Sequence, residues 1–179
     1  MGKCIIYQSE KLGEMHIPTG SHEDRLIIIG ADHKGMGYKR EIVKELKGKY
    51  DILDIGTHSD EECDYHSISD RIGREISKSP VDRAGVGICG SGRGILTLAG
   101  KHRRVYGERC MNPKEAETSR RHNNTNLLCI GAECMDLDIA LETIRSWLTA
   151  PFFHTNYLEE EVYFRRFVQM VELEEAIIR

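Results

Sequence analysis

The chain has 179 residues, 40% of them hydrophobic, and its 25 basic and 29 acidic side chains leave a net charge of -4 at neutral pH. This length and apolar content suffice for one compact α/β domain with a full core. The small negative charge provides no field that would attract nucleic acid or an anionic membrane, so we expect a small neutral or mildly anionic molecule as the partner.

Residues 1–25 are predicted to form an extension, and residues 26–179 a single domain. The extension contains the apolar run Cys4-Ile5-Ile6-Tyr7, followed by a polar stretch with Pro18 and Gly20. Proline and glycine interrupt regular structure, so this pattern fits one strand added at a sheet edge.

From Leu26 onward, short apolar runs alternate with longer helical patterns, as in βα units that build a parallel sheet. The predicted strands are residues 26–30, 50–55, 84–89, 104–109 and 127–131, of which the fourth is unusually polar. Between them, Tyr38, Ile42 and Leu46 share one helix face. Leu137, Leu141, Ile144 and Leu148 do the same behind Asp136, a predicted helix cap. These apolar stripes predict helices that cover the sheet.

A last helix is predicted over residues 159–178. It carries Phe164, Val168 and Val171 as an apolar stripe, with Arg165 and Arg166 beside it. We expect this helix to pack on a neighbouring subunit.

The cysteines are spread through segments that resemble ordinary strands and turns: Cys4, Cys63, Cys89, Cys110, Cys129 and Cys134. This distribution favours free thiols in a reducing compartment. No apolar run approaches the roughly 20 residues that cross a bilayer, and no secretion signal is evident, so we expect a soluble cytosolic protein. Cys129 and Cys134 lack a second pair and the histidines are scattered, so we expect no bound metal.

Ligands of open parallel sheets bind beyond the carboxyl ends of the strands. That rule selects four segments: Gly30-Ala-Asp-His-Lys-Gly35, Asp64-Tyr65, Cys89-Gly-Ser-Gly-Arg-Gly94 and His122-Asn123. In the third segment, alternating glycines let backbone N–H groups turn toward a bound oxyanion at a helix start. A thiolate at Cys89 is stabilised in such a place and becomes a usable base.

Each candidate also has a purely structural interpretation. Cys89 could be a buried cysteine beside a glycine turn, because short glycine patterns are weak signals. Asp32 could cap a helix with His33 in solvent, and His122 could end one. The glycine segment matches neither a dinucleotide fingerprint nor a Walker loop, because the spacing differs and no Gly-Lys-Ser/Thr follows.

Taken together, these segments resemble the ribose-5-phosphate isomerase B and galactose-6-phosphate isomerase family. The resemblance runs from about Leu26 to Val168. It is carried by the four segments above, by Asp54-Ile-Gly-Thr57 and by Ser119-Arg-Arg-His-Asn-Asn-Thr-Asn126, in the family's order and near its spacing.

The resemblance implies a Rossmann-like, three-layer α/β/α sandwich with a five-stranded parallel sheet. It also implies a homodimer or homotetramer with shared active sites, no cofactor, and reversible aldose–ketose isomerisation. Cys89 then corresponds to the base, His122 to the ring-opening acid, and Asp32 and Ser91 to the groups that exchange hydroxyl protons around a cis-enediolate. The implied substrate-binding residues are Asp32, His33, Tyr65, Gly90, Ser91, Gly92, Arg93, Gly94, Asn123 and Arg166.

The chain departs from the family where the sugar phosphate would bind. Glu133 stands where the resemblance places an arginine, and Val162 where it places another; only Arg166 is retained. A carboxylate facing a phosphate is repulsive, which leaves three accounts open. Replacement charge could come from Arg93, Lys101, Arg103 or Arg165. Alternatively, the substrate could be another phosphosugar, or it could carry no phosphate and place a hydroxyl on Glu133.

Two other functional classes remain as rivals. A non-catalytic member could bind a sugar or sugar phosphate as a sensor, although such a protein needs no base at Cys89. A thiol redox protein could use Cys89 with Cys63 or Cys110 as the resolving thiol.

Overall fold

The computed structural model describes residues 4–152 and 158–177. Its strands are β1 (Cys4–Ser9), β2 (Gly13–Pro18), β3 (Leu26–Ala31), β4 (Ile52–Gly56), β5 (Arg83–Cys89), β6 (Gly107–Arg109) and β7 (Leu127–Gly131). Its helices are α1 (Met36–Leu46), α2 (Tyr65–Lys78), α3 (Arg93–Ala99), α4 (Pro113–Asn123), α5 (Leu137–Thr149) and α6 (Leu158–Ile177). Among the described residues, none of the helices combines the length and apolar character needed to span a bilayer.

Strands β3 to β7 form one parallel sheet in the order β4-β3-β5-β7-β6, which confirms the predicted architecture. The chain passes from β3 outward to β4 and then returns to β5 on the other side of β3. The loops that follow β3 and β5 therefore leave the sheet in opposite directions. The crevice between two such loops is the usual ligand site of a doubly wound sheet.

Helices cover both faces of this sheet, which explains why its central strands read as continuous apolar runs. Ile27 and Ile29 of β3 pack in the layer that contains α1 and α5, whereas Ile28 packs with α2 and α3. All three side chains are fully buried. The alternation of side chains along a strand thus supplies both cores from one short segment.

The fourth sheet strand is shorter than predicted and begins at Gly107 rather than at residue 104. Arg104 has a φ of 62°, which ends extended structure there. The backbone N–H of Arg104 donates to one oxygen of Glu174 at 2.7 Å, and the Tyr106 hydroxyl donates to the other at 2.6 Å. A carboxylate of α6 therefore takes the backbone N–H of Arg104, which the sequence pattern assigned to the sheet.

The extension forms an antiparallel hairpin of β1 and β2 that is separate from the main sheet, so the expectation of an added edge strand was wrong. Met15 and Ile17 of β2 point into a third apolar cluster. Each is at most 5% exposed. The missed signal is the alternation of Met15 and Ile17 with polar neighbours in the segment 13–18.

The last helix lies close to its predicted bounds, although residue 178 falls outside the described residues. Val168 and Val171 are buried, with Phe164 beside them, and this apolar stripe packs against the hairpin of the same chain. Packing of α6 on a neighbouring subunit stays a prediction.

Candidate active site

A cleft of about 410 Å³ opens at the carboxyl ends of β3 and β5, where the sheet order reverses. It brings together seven of the predicted catalytic and substrate-binding residues: Asp32, His33, Tyr65, Cys89, Gly90, Ser91 and Gly94. Lys34, Cys63, Asp64 and Glu133 complete its lining. The cleft therefore unites three of the four predicted segments.

Cys89 is the last residue of β5 and is 4% exposed at the floor of the cleft. Gly92 adopts a φ of 74°, and its backbone N–H donates to the Cys89 sulfur at 3.1 Å. A left-handed backbone is easily reached only by glycine, so this residue type is needed for the turn that aims the N–H group. Because α3 has only seven residues, the donor that the structure places at the sulfur is this amide rather than a helix dipole.

Asp32 lies 5% exposed at the end of β3, with its Oδ1 accepting the Gly35 backbone N–H at 3.0 Å. This bond fixes the turn that leads into α1, whose N-cap is Gly35 without a side-chain cap, so the interpretation of Asp32 as a helix cap was wrong. The Asp32 side chain also lines the cleft. His33 contacts the backbone of Cys63 through Nδ1, which ties the loop after β3 to the segment that precedes α2.

Tyr65 closes the cleft from the start of α2. Its ring packs so closely on Gly94 that a Cβ at position 94 would lie 2.6 Å from the ring. The glycine alternation thus serves two purposes: Gly92 permits a turn, and Gly94 permits an aromatic side chain to approach.

The model of the ribose/galactose isomerase family matches residues 27–162. The chain belongs to this family. It is 35% identical over 127 residues to ribose-5-phosphate isomerase B of Escherichia coli, covering 70% of this chain and 85% of that protein. It is 32% identical over 136 residues to 4-deoxy-4-sulfo-D-erythrose isomerase of a Clostridium species, covering 75% of this chain and 84% of the relative.

The structure of ribose-5-phosphate isomerase B from Mycoplasma genitalium with bound ribulose 5-phosphate superposes with a TM-score of 0.78. The identity is 25%, and the match covers 86% of this chain and 99% of that one. The hairpin of residues 4–18 precedes the segment matched by the family model, and α6 lies mostly beyond it.

Glu133, the departure from the family pattern, forms an ion pair across the cleft with Lys34 at 2.7 Å. The pair passes over Gly90, because a Cβ there would lie 2.7 Å from Glu133 Oε2 and 2.9 Å from Lys34 Cδ. The hydrogen bond to Glu133 raises the pKa of Lys34, with smaller contributions from Asp32 and Cys89. Lys34 was not predicted as a site residue, since its partner is 99 positions away.

His122 and Asn123 lie away from this cleft, at the opposite edge of the sheet where α4 ends just before β7 begins. The His122 ring stacks on the ring of Tyr163 in α6, with the ring centroids 4.0 Å apart and the ring planes inclined by 8°. The Asn123 side chain bonds to Glu108, whose pKa is raised mainly by burial.

Arg93 and Arg166 are exposed and do not line the cleft. A single chain therefore separates Cys89 from His122, Asn123 and Arg166.

The remaining buried thiols are poorly suited to chemistry. Burial raises the pKa of Cys129 well above its usual value and that of Cys110 to about 12. Cys110 is therefore a poor resolving thiol for Cys89. Cys63 does line the cleft. All six cysteines lie in the described part of the chain and carry free thiols.

Proposed function

We propose that this chain is an aldose–ketose isomerase that acts on a small phosphorylated sugar of the ribose 5-phosphate and ribulose 5-phosphate type. The observation that carries the proposal is the Cys89 sulfur, which accepts the Gly92 N–H at 3.1 Å at the floor of a cleft shared with Asp32. A thiolate in this position can serve as a base. Further support comes from the relative named ribose-5-phosphate isomerase B and from the homologue that holds ribulose 5-phosphate.

In the proposed mechanism, the Cys89 thiolate removes the proton from carbon 2 of the open-chain aldose and returns it to carbon 1. A cis-enediolate forms between these steps, while Asp32 and Ser91 move the hydroxyl proton from oxygen 2 to oxygen 1. The Gly92 and Arg93 amides already bond to Cys89 and to the Ser91 hydroxyl, at 3.1 and 3.3 Å. We therefore assign stabilisation of the enediolate oxygen to the amides of Gly90 and Ser91, an effect worth roughly 3 kcal/mol per donor in other enzymes.

Ring opening in this scheme requires a homo-oligomer. His122 stacks on Tyr163 outside the cleft of its own chain. We assign ring opening at each cleft to His122 of the partner subunit, with Asn123 and Arg166 of that subunit completing the sugar contacts. A homodimer is the smallest assembly that supplies them, and in a C2 dimer both sites form by the same contact.

The function can be tested by incubating the protein with phosphorylated and free aldoses in D2O and following deuterium into carbon 2. Incorporation with one sugar identifies both reaction and substrate. Cys89→Ala should lower turnover by about 10²–10⁴-fold, the usual contribution of a general base, while leaving ligand affinity intact. Cys4→Ala, on the exposed hairpin, is the matched control. Binding without turnover of any sugar would instead favour the sensor function.

A second candidate is isomerisation of a sugar whose far end is uncharged. Three carboxylates line the cleft, on Asp32, Asp64 and Glu133, and the Lys34 ammonium is already bound to Glu133. No arginine lines the cleft within the described part of the chain. A sugar hydroxyl would meet no repulsion here, so free aldoses belong in the same screen.

A further inference from the structure

Arg109, the last residue of β6, contacts the active-site loop without lining the cleft. Its guanidinium Nε donates to the Ser91 carbonyl oxygen at 2.6 Å. The same peptide unit continues into the Gly92 N–H, which donates to the Cys89 sulfur at 3.1 Å. A trans peptide is planar, with its oxygen and its N–H on opposite sides, so fixing one end fixes the direction of the other.

We propose that Arg109 is a positioning residue for Cys89 and acts through the Ser91–Gly92 peptide. A charged donor on the carbonyl holds the peptide in place and polarises it, which makes its N–H a stronger donor to the thiolate. Arg109 touches neither the sulfur nor the cleft, so it acts only through the loop peptide that it holds. The proposal rests on the proposed function in one respect only, namely that Cys89 is the base.

The loop needs such an anchor because glycine flanks Ser91 on both sides. Gly90 and Gly92 leave the peptide free to rotate in the absence of a restraint. Packing supplies part of the restraint, since the Ser91 oxygen lies 2.7 Å from where a Cβ of Gly131 would be. Arg109 supplies the rest from the edge strand. Strand β7 lies between the two residues. Arg109 of β6 pairs with Cys129 on one side of β7, and Cys89 of β5 pairs with Gly131 on the other side.

Other titratable groups also lie around Cys89, and the test must leave them unchanged. Those along the cleft and beneath it are Asp32, His33, Lys34, Cys63, Asp64, Tyr65, Glu133 and the buried thiol of Cys129. Arg109 is the side chain that the structure places on the carbonyl of the peptide whose N–H reaches the sulfur. Substituting it changes that peptide while retaining every one of these neighbours.

The experiment measures iodoacetamide alkylation of Cys89 against pH in the full chain, together with isomerase kinetics. Trypsin releases residues 84–93 as one peptide that contains Cys89 as its single cysteine, so mass spectrometry reads this thiol alone. The variants are Arg109→Gln and Arg109→Lys, and the control is Arg40→Gln, which removes an exposed arginine on α1.

In Arg109→Gln, we expect the midpoint of the alkylation profile to move up by about one pH unit, as when a hydrogen bond to a charged group weakens. We expect kcat to fall about tenfold near neutral pH, with KM changed less than about twofold. Arg109→Lys, which keeps a cationic donor, should recover part of both effects and guards against misfolding of the glutamine variant. Arg40→Gln should match the unmodified chain.

An unchanged alkylation profile in folded Arg109→Gln would overturn the proposal, even if activity fell. Equal losses in Arg109→Lys and Arg109→Gln, without a shift in the profile, would also overturn it. A shifted profile in a protein that turns over no sugar would support the role of Arg109 and contradict the isomerase function, so the two failures are distinguishable.

Discussion

The strands of the parallel sheet end at its carboxyl edge, which holds the cleft. At the opposite, amino edge, the hairpin and α6 contact the segments that lead into β6 and β7. At the cleft, Cys89 and Asp32 lie at the ends of neighbouring strands. At the amino edge, Asn124 and Asn126 bond to the backbone of Pro18 and Arg104, and Tyr106 bonds to Glu174. These polar groups are satisfied within the chain, so at this edge they have a structural role.

His122 breaks this division, because it is a predicted catalytic group that lies at the amino edge. If Cys89 and His122 act on the same sugar, the amino edge of one subunit must meet the cleft of another. The placement of the two predicted catalytic groups at opposite edges therefore predicts an oligomer.

The largest expected effect comes from mixing subunits that carry Cys89→Ala with subunits that carry His122→Ala. Each variant alone should lose about 10²–10⁴-fold in turnover. After dissociation and reassembly in equal amounts, half of the dimers are hybrids with one intact site, so activity should return to about a quarter of the original. Deuterium incorporation into carbon 2 measures the recovered activity. Reassembled hybrids with no recovered activity would show that both groups must come from the same chain. Full activity of His122→Ala alone would show that His122 has no catalytic part.

The amino edge should matter mainly for stability. Ile17 is 1% exposed in the cluster shared by the hairpin and α6. Ile17→Ala should lower the free energy of unfolding by about 3 kcal/mol, as lost burial plus a cavity. Ile6→Ala, at a position 61% exposed, should cost less than about 0.5 kcal/mol. Urea denaturation checks both values. A loss of activity in folded Ile17→Ala without a loss of stability would contradict the separation of roles.

Acid should weaken the amino edge through His22. Its pKa is well below the ordinary 6.5, first because it is buried and then because Arg120 and Arg25 are close. Below pH 6.5, the unfolded chain binds a proton that the folded chain does not, so unfolding becomes easier as pH falls. The slope should be about 1.4 kcal/mol per pH unit, and it should vanish above pH 6.5. Melting temperatures from about pH 7.5 to 5 measure this dependence. His22→Phe should flatten it, unlike the exposed control His16→Gln; equal curves would contradict the assignment.

Local sequence patterns predicted those parts of the fold that depend on nearby residues. The run of isoleucines in β3 predicts a strand buried on both faces, and the glycine alternation predicts the loop at Cys89. The start of β6 was wrong because the backbone at Arg104 depends on Glu174, which lies 70 positions away. The contact of Arg109 with Ser91 escaped for a similar reason: a polar residue in an edge strand reads as solvated until the loop beside it is placed.

The Lys34–Glu133 pair lay equally beyond prediction, and it provides the last and smallest test. Glu133→Gln removes one negative charge from the cleft and frees Lys34. If the substrate ends in phosphate, its KM should fall by about threefold to tenfold, because a like charge is lost at a partly exposed site. If it ends in a hydroxyl held by Glu133, KM should rise instead, with kcat little changed in both cases.

Lys34→Gln is the matched variant, since it should raise KM for a phosphorylated sugar and leave KM for a free sugar nearly constant. An unchanged KM in both variants would mean that the pair does not contact the substrate. We then expect the charge that discriminates to lie outside the cleft of the same chain, first at Arg166 of the partner subunit. Arg166→Gln would reveal this by raising KM for the phosphorylated sugar alone.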